Sequence, residues 1–159
     1  MLHYKKGDLL EVKEGIITHG VNCQGVMGSG VTLAIKQKYP NVFYSYKNFV
    51  AEDRESEKGC LGMIQILQAI PKDVSHSTEP LLLVANLFTQ FSYGRDKQRY
   101  VDYEAVATCF EKLYNINRTM YNLPLHIPKI GAGLGGGDWN VISAIIESVY
   151  KDDVTVWEL

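Results

Sequence analysis

The chain has 159 residues, 46% of them hydrophobic, a formal net charge of −2 and a pI near 6.1. That suffices for one core in a single domain over residues 1–159. It excludes an extended nucleic-acid surface, which rests on clustered Lys and Arg, and no apolar run approaches a membrane span. Cys23, Cys60 and Cys109 are scattered without CxxC spacing, which argues against a metal site or disulfide framework. With no charged-then-apolar leader at the N-terminus, the expectation is a cytoplasmic protein with reduced thiols.

In chain order, residues 2–4 read as a short strand before the polar break Lys5-Lys6-Gly7-Asp8. Residues 15–22 (GIITHGVN) have the β-branched content of a buried strand. Val31, Ala34, Ile35 and Tyr39 recur at helical spacing over 29–39, and Pro40 stops that helix because its ring cannot continue the ladder. A second helix is predicted over 41–51, capped by Asn41, with Val42, Tyr46 and Phe49 on one side. Strands are predicted at 63–70 and 81–87, separated by a polar loop at 71–80. Residues 102–113 form an amphipathic helix facing inward with Val106, Cys109, Phe110 and Leu113. A strand at 123–130, a helix at 138–150 burying Val141, Ile142, Ile145, Ile146 and Val149, and a closing strand at 154–159 complete the pattern. Strands alternating with helices imply an α/β fold, its largely parallel sheet covered on both faces. Ligands of such sheets sit beyond the carboxyl ends of the strands.

Two glycine-rich loops fall at such ends. The first, Asn22-Cys23-Gln24-Gly25-Val26-Met27-Gly28-Ser29-Gly30, leaves a strand and enters a helix. The second, Gly131-Ala132-Gly133-Leu134-Gly135-Gly136-Gly137, has five glycines in seven residues and leads to Asp138-Trp139. Backbone N–H groups at such turns, with the start of a helix, make an anion site. Neither loop is a Walker loop or a dinucleotide fingerprint, since the Lys-Ser/Thr ending and the βαβ context are missing.

Gly7-Asp8-Leu9, His19-Gly20-Val21-Asn22-Cys23 leading into Met27-Gly28-Ser29-Gly30-Val31, and Pro128-Lys129-Ile130-Gly131-Ala132-Gly133-Leu134-Gly135 followed by Trp139 together resemble the macro domain. The likeness runs in order through nearly the whole chain. It implies a three-layer α/β/α sandwich around a mixed, largely parallel six-stranded sheet, with ADP-ribose bound in a cleft. Under it, Asp8, beside Gly7, accepts from the adenine amino group and Leu9 offers a backbone contact. Gly20 and Val21 lead to Asn22, which holds the distal ribose. Met27, Gly28, Ser29, Gly30, Val31 and Thr32 wrap that ribose and the diphosphate, with Ile130, Gly131, Ala132, Gly133, Leu134, Gly135 and Gly136 opposite. The implied partner is a small ADP-ribose derivative, bound by a monomer without cofactor or metal.

Two branches of the family are in play. One resembles enzymes that remove ADP-ribose from acidic side chains or DNA bases with a lysine after the strand near Leu87; Gln90 stands there, and Gly135 stands where some members have aspartate. The other resembles ADP-ribose 1''-phosphate phosphatases, through His19 ahead of Asn22, Leu87-Phe88-Thr89, Tyr93-Gly94 and the Trp-Glu-Leu terminus. The second is the expected activity, with a non-catalytic reader as a further alternative. His19 is then a candidate to activate water, since imidazole titrates near neutrality, and Asn22 to orient ribose or water. The residues alone equally allow His19 to pack beneath the loop and Asn22 to bond its own backbone. Asp8 reads equally as a turn residue. Asp138 is expected to cap the last helix, Cys23 to be inert, and Arg95-Asp96-Lys97-Gln98-Arg99 to be a solvated loop. Trp139, Phe43, Tyr44 and Tyr46 are expected in the core.

Overall fold

The computed structural model describes residues 1–52, 59–74 and 81–159. Six strands form one sheet: β1 (Leu2–Lys6), β2 (Gly15–Asn22), β3 (Ile64–Gln68), β4 (Leu82–Gln90), β5 (Leu125–Ile127) and β6 (Val154–Glu158). Their order is β1-β6-β5-β2-β4-β3. Every neighbouring pair is parallel except β3 with β4, so the sheet is mixed and largely parallel. β2 lies between β4 and β5, which explains its nearly continuous burial: both of its faces are covered.

Helices α1 (Gly30–Lys38) and α2 (Pro40–Glu52) cover one face, where Ile17, Val21, Val84 and Phe88 meet Ile35, Val42 and Tyr46. Helices α3 (Tyr103–Ile116) and α4 (Trp139–Val149) cover the other, where Ile16, Ala85 and Leu87 meet Phe110, Leu113, Ile142 and Ile146. Each such large side chain withdrawn from water contributes roughly 1.5–3 kcal/mol against chain entropy. The result is a three-layer sandwich. Among the described residues, no helix is long and apolar enough to cross a membrane.

Several boundaries shift for identifiable reasons. The strand expected at 123–130 shrinks to Leu125–Ile127 because Pro124 and Pro128 flank it and cannot donate to the ladder. β4 runs on to Gln90, where Asn22 and an isolated bridge from Val101 still pair with it. Pro40 ends α1 but also opens α2, where a missing N–H costs nothing. Asn41 is therefore inside the helix and is not its cap. Its amide donates to the Gln68 carbonyl at 2.8 Å and accepts from the Ile70 N–H at 3.1 Å, fastening the end of β3. Val141 is 39% exposed rather than buried, because α4 turns only Ile142 and Ile146 fully inward. On α1, Ile35 and the flanking Tyr39 are buried, whereas Val31 and Ala34 are half-buried. Tyr44 points to solvent, and Trp139 is half-buried with its indole N–H donating to the Tyr4 hydroxyl. Part of the polar loop expected at 71–80, residues 75–80, lies outside the described residues.

Candidate functional site

The carboxyl ends of β2 and β4 and the segment following β5 open into a cleft of about 670 Å³. One wall is the segment from Asn22 into α1, with Val26 and residues 28–32; the other is 128–131 and 133–135. Among the described residues, its charged lining side chains are Arg95 and Lys129, and none of the lining residues is a carboxylate. Lys129 pairs with Glu158 at 2.8 Å, and that bond raises the pKa of its ammonium group.

Side chains shape the first wall. The Asn22 amide donates to the Val26 carbonyl at 2.8 Å, while its Oδ1 accepts from the Gln24 N–H at 2.9 Å. Beneath it, the fully buried Tyr46 of α2 places its hydroxyl 2.7 Å from the Asn22 carbonyl and 2.8 Å from Asn22 Oδ1. One phenolic proton serves both acceptors, and the oxygen accepts the Gly25 N–H at 3.1 Å. Burial, the largest cause, pushes the Tyr46 phenol well above its ordinary value. Ser29 then enters α1 in an extended conformation and offers no side-chain cap. The N–H groups of the first turn of α1 are thus left for a ligand, at the positive end of the helix dipole.

Backbone shapes the second wall. Gly131 and Gly136 have φ of +76° and +71°, which favour glycine. A Cβ at Gly136 would stand 2.2 Å from the Gln98 carbonyl oxygen. The Gly135 carbonyl accepts the N–H groups of Tyr100 and Val101 at 2.7 and 3.0 Å, joining this loop to 91–100. Asp138 caps α4 by accepting the Asn140 N–H at 2.9 Å.

Most expected residues meet in this cleft: Gly20, Val21, Asn22, residues 28–32, Ile130, Gly131, Gly133, Leu134 and Gly135 line it. Gly7, Asp8, Leu9, Met27, Ala132 and Gly136 do not. Met27 and Leu9 are buried in the core under α1 and α2. Asp8 is exposed, and its Oδ1 accepts the Leu10 N–H at 2.9 Å, capping a single 3-10 turn over Leu9–Glu11. The local turn reading therefore describes Asp8 in this structure.

His19 is held from one side. Its ring is 1% exposed and faces the α1–α2 layer, with Nε2 2.5 Å from Asn86 Oδ1. Asn86 donates to Gln65 at 3.0 Å, and Gln65 donates to the Ser45 carbonyl of α2 at 3.2 Å. The histidine thus heads a chain of hydrogen bonds across β2, β4 and β3, and desolvation lowers its pKa to about 4. Residue 19 belongs to the cleft lining; the bond to Asn86 engages Nε2 and fixes the ring, which is neutral near pH 7, while Nδ1 has no partner among the described residues. Asn22 lines the cleft with its side chain oriented by the loop: Oδ1 accepts from Gln24 and Tyr46, and one amide N–H goes to the Val26 carbonyl, which leaves the second N–H of the amide.

Val26, Thr89, Gln90, Tyr93, Gly94, Arg95 and Pro128 complete the lining with Lys129. Arg95 edges the cleft while staying exposed, as residues 96–99 are. The sequence signal for Thr89 and Gln90 was their place at the end of a buried strand, but only the sheet order shows that strand beside β2. Cys23 is buried and turned toward the α1–α2 core.

The family model of the Macro domain matches residues 18–146. The DNA ADP-ribosyl glycohydrolase of Mycobacterium tuberculosis is 26% identical over 152 residues, covering 95% of this chain and 39% of that protein. This chain therefore spans about two fifths of that relative's length. The ADP-ribose 1''-phosphate phosphatase of Scheffersomyces stipitis is 25% identical over 168 residues, covering 92% of this chain and 94% of that protein. The structure of a macrodomain protein from Streptomyces coelicolor superposes with a TM-score of 0.76 at 25% identity, covering 100% and 99% of the two chains.

Proposed function

We propose that this chain, which belongs to the macro domain family, binds ADP-ribose and hydrolyses ADP-ribose 1''-phosphate to ADP-ribose and inorganic phosphate. The observation that carries the reading is the cleft's electrostatics: two glycine walls, an uncapped helix start, and, among the described lining residues, Arg95 and the Glu158-paired Lys129 with no carboxylate. Such a site suits a small polyanion held by backbone N–H groups. Phosphate-ester cleavage asks mainly for alignment and charge stabilisation of the transferring group. The two walls supply donors for that purpose, and His19 and Asn22 contribute by fixing the frame. Support also comes from the similarity to a named ADP-ribose 1''-phosphate phosphatase along almost its full length. The acting unit we propose is a cytoplasmic monomer, in keeping with three scattered, buried cysteines.

The test is release of inorganic phosphate from ADP-ribose 1''-phosphate by the purified chain. Release at the rate of the uncatalysed control would sink the phosphatase reading. The similarity to DNA ADP-ribosyl glycohydrolases favours a second one, removal of ADP-ribose from a modified macromolecule. Against it stand Gln90, whose amide donates to the Ser92 carbonyl at 2.8 Å, and Lys129, whose ammonium is paired. Free ADP-ribose released from modified DNA or protein would select it. Binding in calorimetry with neither turnover would leave a reader.

A further inference from the structure

Among the described residues, two that line the cleft hold a buried polar atom without a partner, Thr89 Oγ1 and His19 Nδ1. Thr89, next to last in β4, lines the cleft and is 1% exposed. Its Oγ1 has no hydrogen-bond partner among the described residues. A hydroxyl removed from water without a new partner destabilises the fold. Thr18 Oγ1 and His19 Nδ1 share that state; Thr18 does not line the cleft, and the ring of His19, which does, is already fixed through Nε2 by Asn86. The Thr89 backbone is fixed, since its carbonyl accepts the N–H of Asp102, the capping residue of α3, at 2.8 Å. Gly20 on the adjacent strand leaves the hydroxyl its room: a Cβ there would stand 2.6 Å from Thr89 Oγ1 and 3.2 Å from Ile130 Cγ2.

The surroundings decide what can bond it. Its neighbours at this point, Gly20 and Ile130, carry no charge. A phosphate placed here would exchange its hydration for one hydroxyl. A sugar hydroxyl both donates and accepts, as threonine does, and carries no charge to desolvate. We propose that Thr89 Oγ1 is a specificity-determining contact for a hydroxyl of the ligand's terminal sugar. The sugar then lies down on the end of β4, with the phosphates across the two glycine walls. This inference rests on the ADP-ribose reading of the cleft.

The experiment is calorimetric titration of ADP-ribose, and of ADP, which lacks the terminal ribose. The proteins are the wild-type chain, Thr89→Val and Thr89→Ser. Valine keeps the β-branched shape and serine keeps the hydroxyl. ADP-ribose should bind about tenfold more weakly to Thr89→Val and within about threefold of wild type to Thr89→Ser, with ADP unchanged throughout. Equal ADP-ribose affinity in wild type and Thr89→Val overturns the assignment. So does an equal loss in both variants, or a parallel loss of ADP. If Thr89→Val proves unfolded by circular dichroism, Thr89→Ala carries the same expectations. Wild-type chain that binds neither ligand overturns the ADP-ribose reading itself, an outcome distinct from wild-type binding that the variants leave unmoved.

Discussion

The two walls of the cleft are built by opposite means. The wall at 22–30 is held by side chains: Asn22 bonds its own loop, and Tyr46 reaches up from α2 to hold both the Asn22 oxygens and the Gly25 N–H. The wall at 131–137 is held by the absence of side chains, with the Gln98 carbonyl packed where a Cβ of Gly136 would be. The first should therefore fail when a polar atom is removed, and the second when a carbon is added. Both line the cleft, so its shape depends on two independent supports.

The largest expected effect tests the second wall. Gly136→Ala places a Cβ at φ +71°, 2.2 Å from a backbone oxygen that cannot rotate away. Left-handed conformation costs a Cβ-bearing residue about 1–2 kcal/mol, and overpacking adds about 1–3 kcal/mol. A loss of about 3 kcal/mol is expected in urea unfolding, at unchanged m-value. A loss below about 1 kcal/mol would break the contrast between the walls.

Next comes the polar layer beneath the first wall. The folded-state pKa of His19 is lowered to about 4, below its unfolded value of about 6.5. Between these values the unfolded chain binds more protons, so stability rises with pH through the window. The contribution is complete above about pH 6.5 and is lost as pH falls toward 4; its size is up to about 3 kcal/mol. Urea midpoints from pH 7 to 4 should show this slope in wild type and a shallower one in His19→Gln. Equal slopes would mean that His19 is not the responsible group. Phosphate release should also lack a kinetic limb near pH 6.5 from an imidazole base, since the ring is neutral throughout that range.

Tyr46→Phe tests the first wall with one atom. It deprives two Asn22 oxygens and the Gly25 N–H of a partner while keeping the buried ring against Phe88. Stability should fall by about 1–2 kcal/mol, and ADP-ribose affinity should fall by about threefold or more as the loop loses its template. Unchanged affinity beside lowered stability would show that Asn22 shapes the loop unaided.

How much of this was legible beforehand follows from the kind of signal each residue carries. The strand over 15–22 and the inward face of α3 were readable because periodicity records burial directly. Both glycine loops were readable because their composition is itself the structural device. Tyr46 was not: a buried tyrosine at helical spacing reads as core, and its hydroxyl matters only because α2 lies under β2. His19 was legible only as a residue type, and only the pairing of β2 with β4 reveals Asn86 as the partner of its Nε2. Asn41 failed as a cap because Pro40 begins the helix one residue earlier.

Gly133→Ala should have the smallest effect on folding and the most discriminating one on function. Its φ is not positive, and nothing lies within 4 Å of the added Cβ. By the argument that makes Gly136 indispensable, Gly133 is unnecessary for folding, and its loss should change stability by less than about 0.5 kcal/mol. It nevertheless lines the cleft. A glycine the fold does not require, on a wall meant to approach phosphates, is accounted for by the ligand's need to touch backbone. Gly133→Ala should then weaken ADP-ribose binding by about fivefold or more at wild-type stability, measured by calorimetry beside urea unfolding. If neither quantity moves, the ligand does not reach this stretch of the second wall, and its approach is confined to residues nearer Gly131.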